Sequence, residues 1–280
     1  MGRKLLRTRN VLKSWAVFTG LCAVLGIVPL VAGNYRLLSI FLFCALLLAS
    51  AGYFYADRIV LGMVRAHELQ KAEAPALHST VERLASRAGI PKPKLYVLRD
   101  GFPRALSAGR GPRGSAIAVS HGLLGAAPPA ELEGVLAHEL AHIRDRDVLI
   151  QSAVAVLAGV TVETSRIGGF LQRGLLFVLG PLAAAFVHLF LSSKREFLAD
   201  AAAAELCGSP HGLADALIRL EQASELVEFQ ASPATEPLYT INPFAEEGLA
   251  ALFVTHPPTG ERVRRLRALD PSWRDKLRAA

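Results

Sequence analysis

Two histidines and the glutamate between them hold the densest chemistry in this chain: His138-Glu-Leu-Ala-His142. Residues four apart share one helical face, so His138 and His142 can turn two imidazole nitrogens toward one cation. Glu139 is rotated away from that pair and can reach a water beside the metal rather than the metal itself. Zinc acidifies water, and a neighbouring carboxylate takes the proton as the water attacks a carbonyl. The same pattern fits an amphipathic helix with two surface histidines. Leu132, Val135, Leu136 and Leu140 give the segment an apolar face, so the motif sits on a well-formed helix.

A hydrolytic zinc needs a third protein ligand and an open position. Arg195-Glu-Phe-Leu-Ala-Asp200 offers two carboxylates four apart. One could bind the ion while the other accepts the remaining N–H of a ligand imidazole. The competing reading is a solvated face on which Lys194, Arg195, Glu196 and Asp200 pair locally. None of the three cysteines sits in a CxxC pair, so a thiolate zinc site or a disulfide framework is not indicated.

These residues need elements to hold them. Pro128–Pro129 precede a helix from Ala130 onward that carries the histidines. Glu73-Ala-Pro75 reads as a helix start, with apolar residues at Leu77, Val81 and Leu84 and a stop at Gly89, Pro91 and Pro93. Lys94 to Leu98 reads as a short strand. Ala105–Ala108 and Ser115–Ser120 flank Gly109-Arg-Gly-Pro-Arg-Gly114, a hairpin pattern. Glu228 to Gly248, with three X-Pro steps, is the most loop-like stretch, and it could cover the cleft in a latent state.

Apolar runs surround this region. The chain has 280 residues, 52% of them hydrophobic, and a mean hydropathy of +0.34, high for a soluble globular protein. Trp15 to Gly33 and Leu37 to Ala56 each have the length of a bilayer-spanning helix, separated by Asn34, Tyr35 and Arg36. They read as a transmembrane hairpin over residues 1–56. Val148 to Val162 and Leu175 to Ser192 read either as a second hairpin, at about 148–192, or as long core helices; the spanning reading is favoured. The net charge is +7, with Arg3, Lys4, Arg7, Arg9 and Lys13 ahead of the first run and no acidic residue before Asp57. That placement fits a positive-inside tail and a cytosolic remainder. No basic strip interleaved with aromatics is present, so no nucleic acid is expected as a partner.

At these motifs the chain resembles the HtpX-type membrane zinc metalloproteases, relatives of the CAAX-prenyl endopeptidases. The likeness runs through the N-terminal hairpin, Glu73-Ala-Pro75, Ala88-Gly-Ile-Pro-Lys-Pro-Lys94, the helix ending Arg146–Asp147, Lys194-Arg-Glu-Phe-Leu-Ala-Asp200, and Thr255-His-Pro-Pro258 with Arg262. The resemblance implies one zinc ion per chain on His138, His142 and Glu196, with Glu139 as general base and Asp200 behind a ligand. It places His256 and Arg262 near the site, where either could face the oxyanion or Arg262 could pair with Asp200; a plain helix start at Pro257–Pro258 is the alternative. It implies a multi-pass protein of the bacterial inner membrane with a cytosolic site. It also implies cleavage of misfolded or exposed membrane-protein segments in quality control and stress response. One departure stands out. Where the family has an Asn-Ala-Phe type segment, this chain has Arg104-Ala-Leu-Ser-Ala-Gly109, which puts substrate alignment at Arg104 in doubt.

The expected fold is mainly α-helical with a small β-sheet beside the zinc helix, an edge strand of which would bind an extended peptide. Residues 57–280 form the expected protease domain. Protein or peptide substrates and the lipid bilayer are the expected partners, and homo-oligomerisation is left open. The rival reading is a catalytically silent membrane scaffold or chaperone-like protein with a structural zinc, for which Cys207 is the available fourth ligand. A small transporter explains the apolar runs but neither the histidine motif nor the polar regions.

Overall fold

The computed structural model describes residues 35–164, 193–226 and 257–270. Its helices in chain order are α1 (Tyr35–Phe54), α2 (Ala56–Met63), α3 (Pro75–Ala88), α4 (His121–Ala126), α5 (Pro129–Asp145), α6 (Asp147–Thr164), α7 (Ser193–Cys207), α8 (His211–Leu226) and α9 (Thr259–Ala268). The strands are β1 (His67–Glu68), β2 (Lys94–Leu98), β3 (Ala105–Gly109) and β4 (Ser115–Ser120). The fold is thus mainly α with a small mixed sheet.

The sheet has the order β1-β2-β4-β3. β2 and β4 run parallel, with Lys94 opposite Ala116. β3 and β4 form the antiparallel hairpin expected from the glycine–arginine stretch, with Ser107 opposite Ile117. The turn closes through Arg110 N–H to Gly114 O at 2.9 Å, and Gly109 (φ +140°) and Gly111 (φ +134°) supply backbone angles that side chains disfavour. β3 is left at the sheet edge.

α5 is the central helix. Pro129 occupies its first turn, where the missing N–H costs nothing. From Gly134 to Asp145 every residue is buried, so the helix is walled on all sides rather than on one stripe. Val135, Leu136, Leu140 and Ile143 pack with Leu84 of α3, Ile117 and Val119 of β4, Ala203 of α7 and Leu217 of α8. Gly134 and Gly212 let α5 and α8 touch backbone to backbone: a Cβ at Gly134 would lie 2.5 Å from Leu213 N, and one at Gly212 2.3 Å from Ala130 O. α5 ends at Arg146, a non-glycine residue in the left-handed region (φ 62°), and α6 begins one residue later.

The transmembrane expectation is corrected. Among the described residues no helix is long and apolar enough to cross a membrane, which removes the transmembrane hairpins from the fold description and with them the multi-pass integral membrane placement. The stretch from Val148 shows the physical reason. Val148, Leu149, Ile150, Val154 and Ala155 are buried inside the protein, Ala155 against Leu106 and Ala108 of β3 and Val60 of α2. Its apolarity serves the protein core. α1 stops at Phe54, and the chain re-enters a separate short helix at Ala56 whose Val60 and Leu61 face the sheet. The runs Trp15 to Gly33 and Leu175 to Ser192, His188 and the loop from Glu228 to Gly248 lie outside the described residues.

Candidate metal centre

α5 and α7 bring three donor groups to one point. His138, His142 and Glu196 each offer a ligand atom, and these atoms lie within 4.8 Å of one another. The two Nε2 atoms face each other at 3.1 Å. Glu196 Oε2 is 3.6 Å from His138 Nε2, and Oε1 is 3.5 Å from His142 Nε2. All three residues are buried. Two imidazole nitrogens facing each other at that distance, with a carboxylate spanning both, form a donor set that fits one zinc ion better than it fits an internal hydrogen bond.

Behind the donors stand two further carboxylates. His138 Nδ1 lies 3.0 Å from Asp200 Oδ1, and His142 Nδ1 lies 3.3 Å from Asp147 Oδ2. Each ring therefore turns Nε2 inward and Nδ1 toward a carboxylate, hydrogen-bonded at His142 and at ion-pair distance at His138. The acceptors are anchored in turn. Arg262 donates Nη2 to Asp200 Oδ1 at 2.7 Å and Nε to Oδ2 at 2.9 Å, a two-pronged pair. Arg195 donates Nη2 to Asp147 Oδ1 at 2.5 Å.

The charges follow from these contacts. Burial alone would raise the Asp200 carboxyl, but the Arg262 guanidinium outweighs it and holds Asp200 down at about 2. Burial lowers the His138 imidazole, yet Asp200 and Glu196 together push it up to about 9. Burial raises Asp147, and Arg195 with His142 more than reverses it, so Asp147 lies below the usual carboxylate range. The ligand cluster is thus an electron-rich pocket that favours a cation, whether a proton or a metal.

Glu139 is buried one residue after His138, and its Oε2 accepts a 2.7 Å hydrogen bond from Ser107 Oγ on β3. Arg104, at the departure from the family pattern, folds back onto Asp100 through Nη2 to Oδ2 at 2.7 Å, and its main-chain N–H goes to Ser120 Oγ. His256 lies outside the described residues. Cys207 is not in the metal cluster; its Sγ lies 3.7 Å from Glu133 O, which takes the fourth ligand away from the structural-zinc reading. His78 donates Nε2–H to Leu69 O at 3.0 Å, and His211 faces Asp270, both as ordinary packing histidines.

Residues 71–270 match Peptidase family M48. The chain belongs to that family. Within it, this M48 peptidase is 39% identical over 278 residues to the "Protease HtpX homolog" of Pelotomaculum thermopropionicum, covering 93% of this chain and 99% of that protein. It is 40% identical over 274 residues to the protein of the same name from Thermococcus sibiricus, covering 91% and 93%. Its fold is similar to the crystal structure of S. mikatae Ste24p, with a TM-score of 0.50 at 21% identity, covering 93% of this chain and 66% of that one. The M48 peptidase is a zinc metalloendopeptidase of the HtpX type, with protein or peptide as its substrate.

Three functional contacts escaped the sequence reading: Asp147 behind His142, Arg195 behind Asp147, and Ser107 against Glu139. Asp147 follows His142 by five positions across a left-handed turn, a spacing that no helical period predicts. Arg195 sits directly before Glu196, where spacing alone reads as one more surface charge.

Proposed function

We propose that His138, His142 and Glu196 hold the zinc, that Glu139 is the general base, and that residues 57–280 make up the catalytic domain. The observation that carries the reading is the convergence of two imidazole nitrogens and one carboxylate within 4.8 Å, with Glu139 buried on the same helix next in sequence to His138. A zinc ion held there would supply Lewis acidity, polarising a carbonyl and acidifying water. Glu139 then takes the proton from water at its carboxylate and returns it to the leaving amine. Asp200 and Asp147 face the Nδ1 side of the two rings and leave each Nε2 aimed inward, where a bound ion would take the place of its proton. Arg262 keeps Asp200 ionised through both prongs.

The substrate is an extended, exposed segment of a protein chain. β3 is the sheet edge next to α5, and pairing in an antiparallel ladder alternates along it. Arg104 O accepts from Ser120 N–H on the β4 side, whereas Gly109 N–H points the other way, to Ser152 Oγ of α6 at 3.0 Å. By that alternation Ser107 turns its main-chain groups outward, where an added strand would pair. Main-chain pairing reads shape rather than side chains, so selection rests on access.

The test compares casein hydrolysis by wild type, Glu139→Gln and a chelated sample, with bound zinc quantified in each. The expected result is full zinc in Glu139→Gln with activity down by about 10²–10⁴-fold, and loss of activity on chelation that zinc restores. Zinc bound equally in both proteins with no cleavage by wild type would favour the structural-zinc scaffold instead.

A further inference from the structure

We infer that Ser107 is a positioning residue for Glu139, fixing the plane of the carboxylate that works as the base. The inference rests on the reading of Glu139 given above. Ser107 sits in the middle of β3, 1% exposed. Its neighbours Leu106 and Ala108 face one side of the sheet, toward Val60 and Ala155. Ala105, Ile117 and Val119 face the other, toward α5. Ser107 lies on that second face, a hydroxyl between the apolar Ala105, Ile117 and Val119, and it meets Glu139 Oε2 at 2.7 Å.

The contact has a consequence beyond satisfying a buried group. The terminal torsion of a glutamate is broad, so packing around its stem does not set the carboxylate plane. A base must aim a lone pair closely, and a misplacement of about 1 Å can cost on the order of a hundredfold. A short hydrogen bond to an ionised oxygen is strong enough to set that aim. Because the donor is a side chain of the edge strand, the base is held by the same residue whose main chain would register the substrate. The hydroxyl keeps its proton throughout; it donates to Oε2 and does not enter the bond changes.

The experiment uses the full chain with Ser107→Ala, Ser107→Thr and Ser107→Cys, measuring kcat, KM, bound zinc, melting temperature and the carboxylate stretch of Glu139. That stretch is isolated in each background as the infrared difference from the matching Glu139→Gln protein. We expect Ser107→Ala to lower kcat by about ten- to a hundredfold with KM within about twofold and zinc unchanged. Ser107→Thr, which keeps the hydroxyl, should recover most of kcat, and Ser107→Cys should fall between. The stretch should move in Ser107→Ala and stay in Ser107→Thr. Wild-type kcat in Ser107→Ala, equal losses in the alanine and threonine proteins, or a change in KM alone would overturn the inference. If Ser107→Ala does not fold, Ser107→Cys carries the same comparison. An active, zinc-loaded Glu139→Gln would instead overturn the reading of the base itself, whatever Ser107 does.

Discussion

The pair Arg262–Asp200 is the most exposed to mutation of any single contact around the metal. Arg262 is 1% exposed and Asp200 3%, so neither charge has water to fall back on. Removing Arg262 leaves the buried Asp200 with His138, and removing Asp200 leaves Arg262 with a longer 3.8 Å contact to Glu196, so a single change costs up to about 3–5 kcal/mol, whereas replacing both by neutral groups of similar size is often nearly neutral. Arg262→Met should therefore unfold at a clearly lower temperature than wild type, and Asp200→Asn with Arg262→Met should recover much of the loss. Thermal denaturation of the single and double variants checks this; a double variant as unstable as the single would show that Arg262 acts through packing alone. Cys207 gives a prediction of the opposite kind. Burial, with Glu133 nearby, pushes its thiol up to about 11, so at pH 8 only about one molecule in a thousand carries the thiolate that alkylates. Cys44 is exposed. Iodoacetamide at pH 8 should modify Cys44 well before Cys207, and raising the pH toward 11 should close the gap, read by peptide mass mapping.

At the scale of elements, glycines tell close contacts from open ones. Alanine in place of a helical glycine gains up to about 1 kcal/mol from backbone entropy. At Gly134 a Cβ would meet Leu213 N at 2.5 Å, a backbone atom that cannot swing aside, and overpacking costs typically about 1–3 kcal/mol. Gly134→Ala should be destabilising, since the clash outweighs the propensity gain. At Gly62 of α2 a Cβ meets nothing within 4 Å, so Gly62→Ala should be neutral or stabilising. Denaturant midpoints of the two variants decide it, and an equal response would mean that the α5–α8 crossing adjusts. The same elements show what was legible beforehand. The histidine motif, α3 with its Pro75 start and Gly89 stop, β2 and the hairpin all follow from local spacing and turn chemistry. Asp147, Arg195 and Ser107 do not: Asp147 meets His142 across a helix–helix turn, Arg195 meets Asp147 from a helix 48 positions on, and Ser107 meets Glu139 by sheet packing 32 positions away. The stretch from Val148 shows a related limit: periodicity in an uncharged run cannot separate a helix buried in protein, as Val148, Leu149, Ile150, Val154 and Ala155 are, from one buried in lipid.

For the molecule as a whole, the metal centre is also a fastener. His138 and His142 come from α5 and Glu196 from α7, and the anchors of their partners come from α9 through Arg262 and from α7 through Arg195. An ion on the three donors would link helices far apart in sequence, and it binds only the folded chain. At free zinc of about a hundred times its dissociation constant, that linkage adds roughly 2.7 kcal/mol, which for a protein of this size is a rise of roughly 5–10 °C in melting temperature. Chelation should lower the transition by that amount, and zinc should restore it. Both imidazoles must be unprotonated to bind, and in the metal-free pocket His138 holds its proton up to about pH 9. Zinc uptake at neutral pH therefore has to displace a proton, so affinity falls as pH falls. Calorimetric titration of the metal-free protein in buffers of different ionisation enthalpy reads that proton directly. Proton release with a matching gain in melting temperature would tie the fastener to the histidines, and zinc binding without either would place the ion elsewhere on the chain.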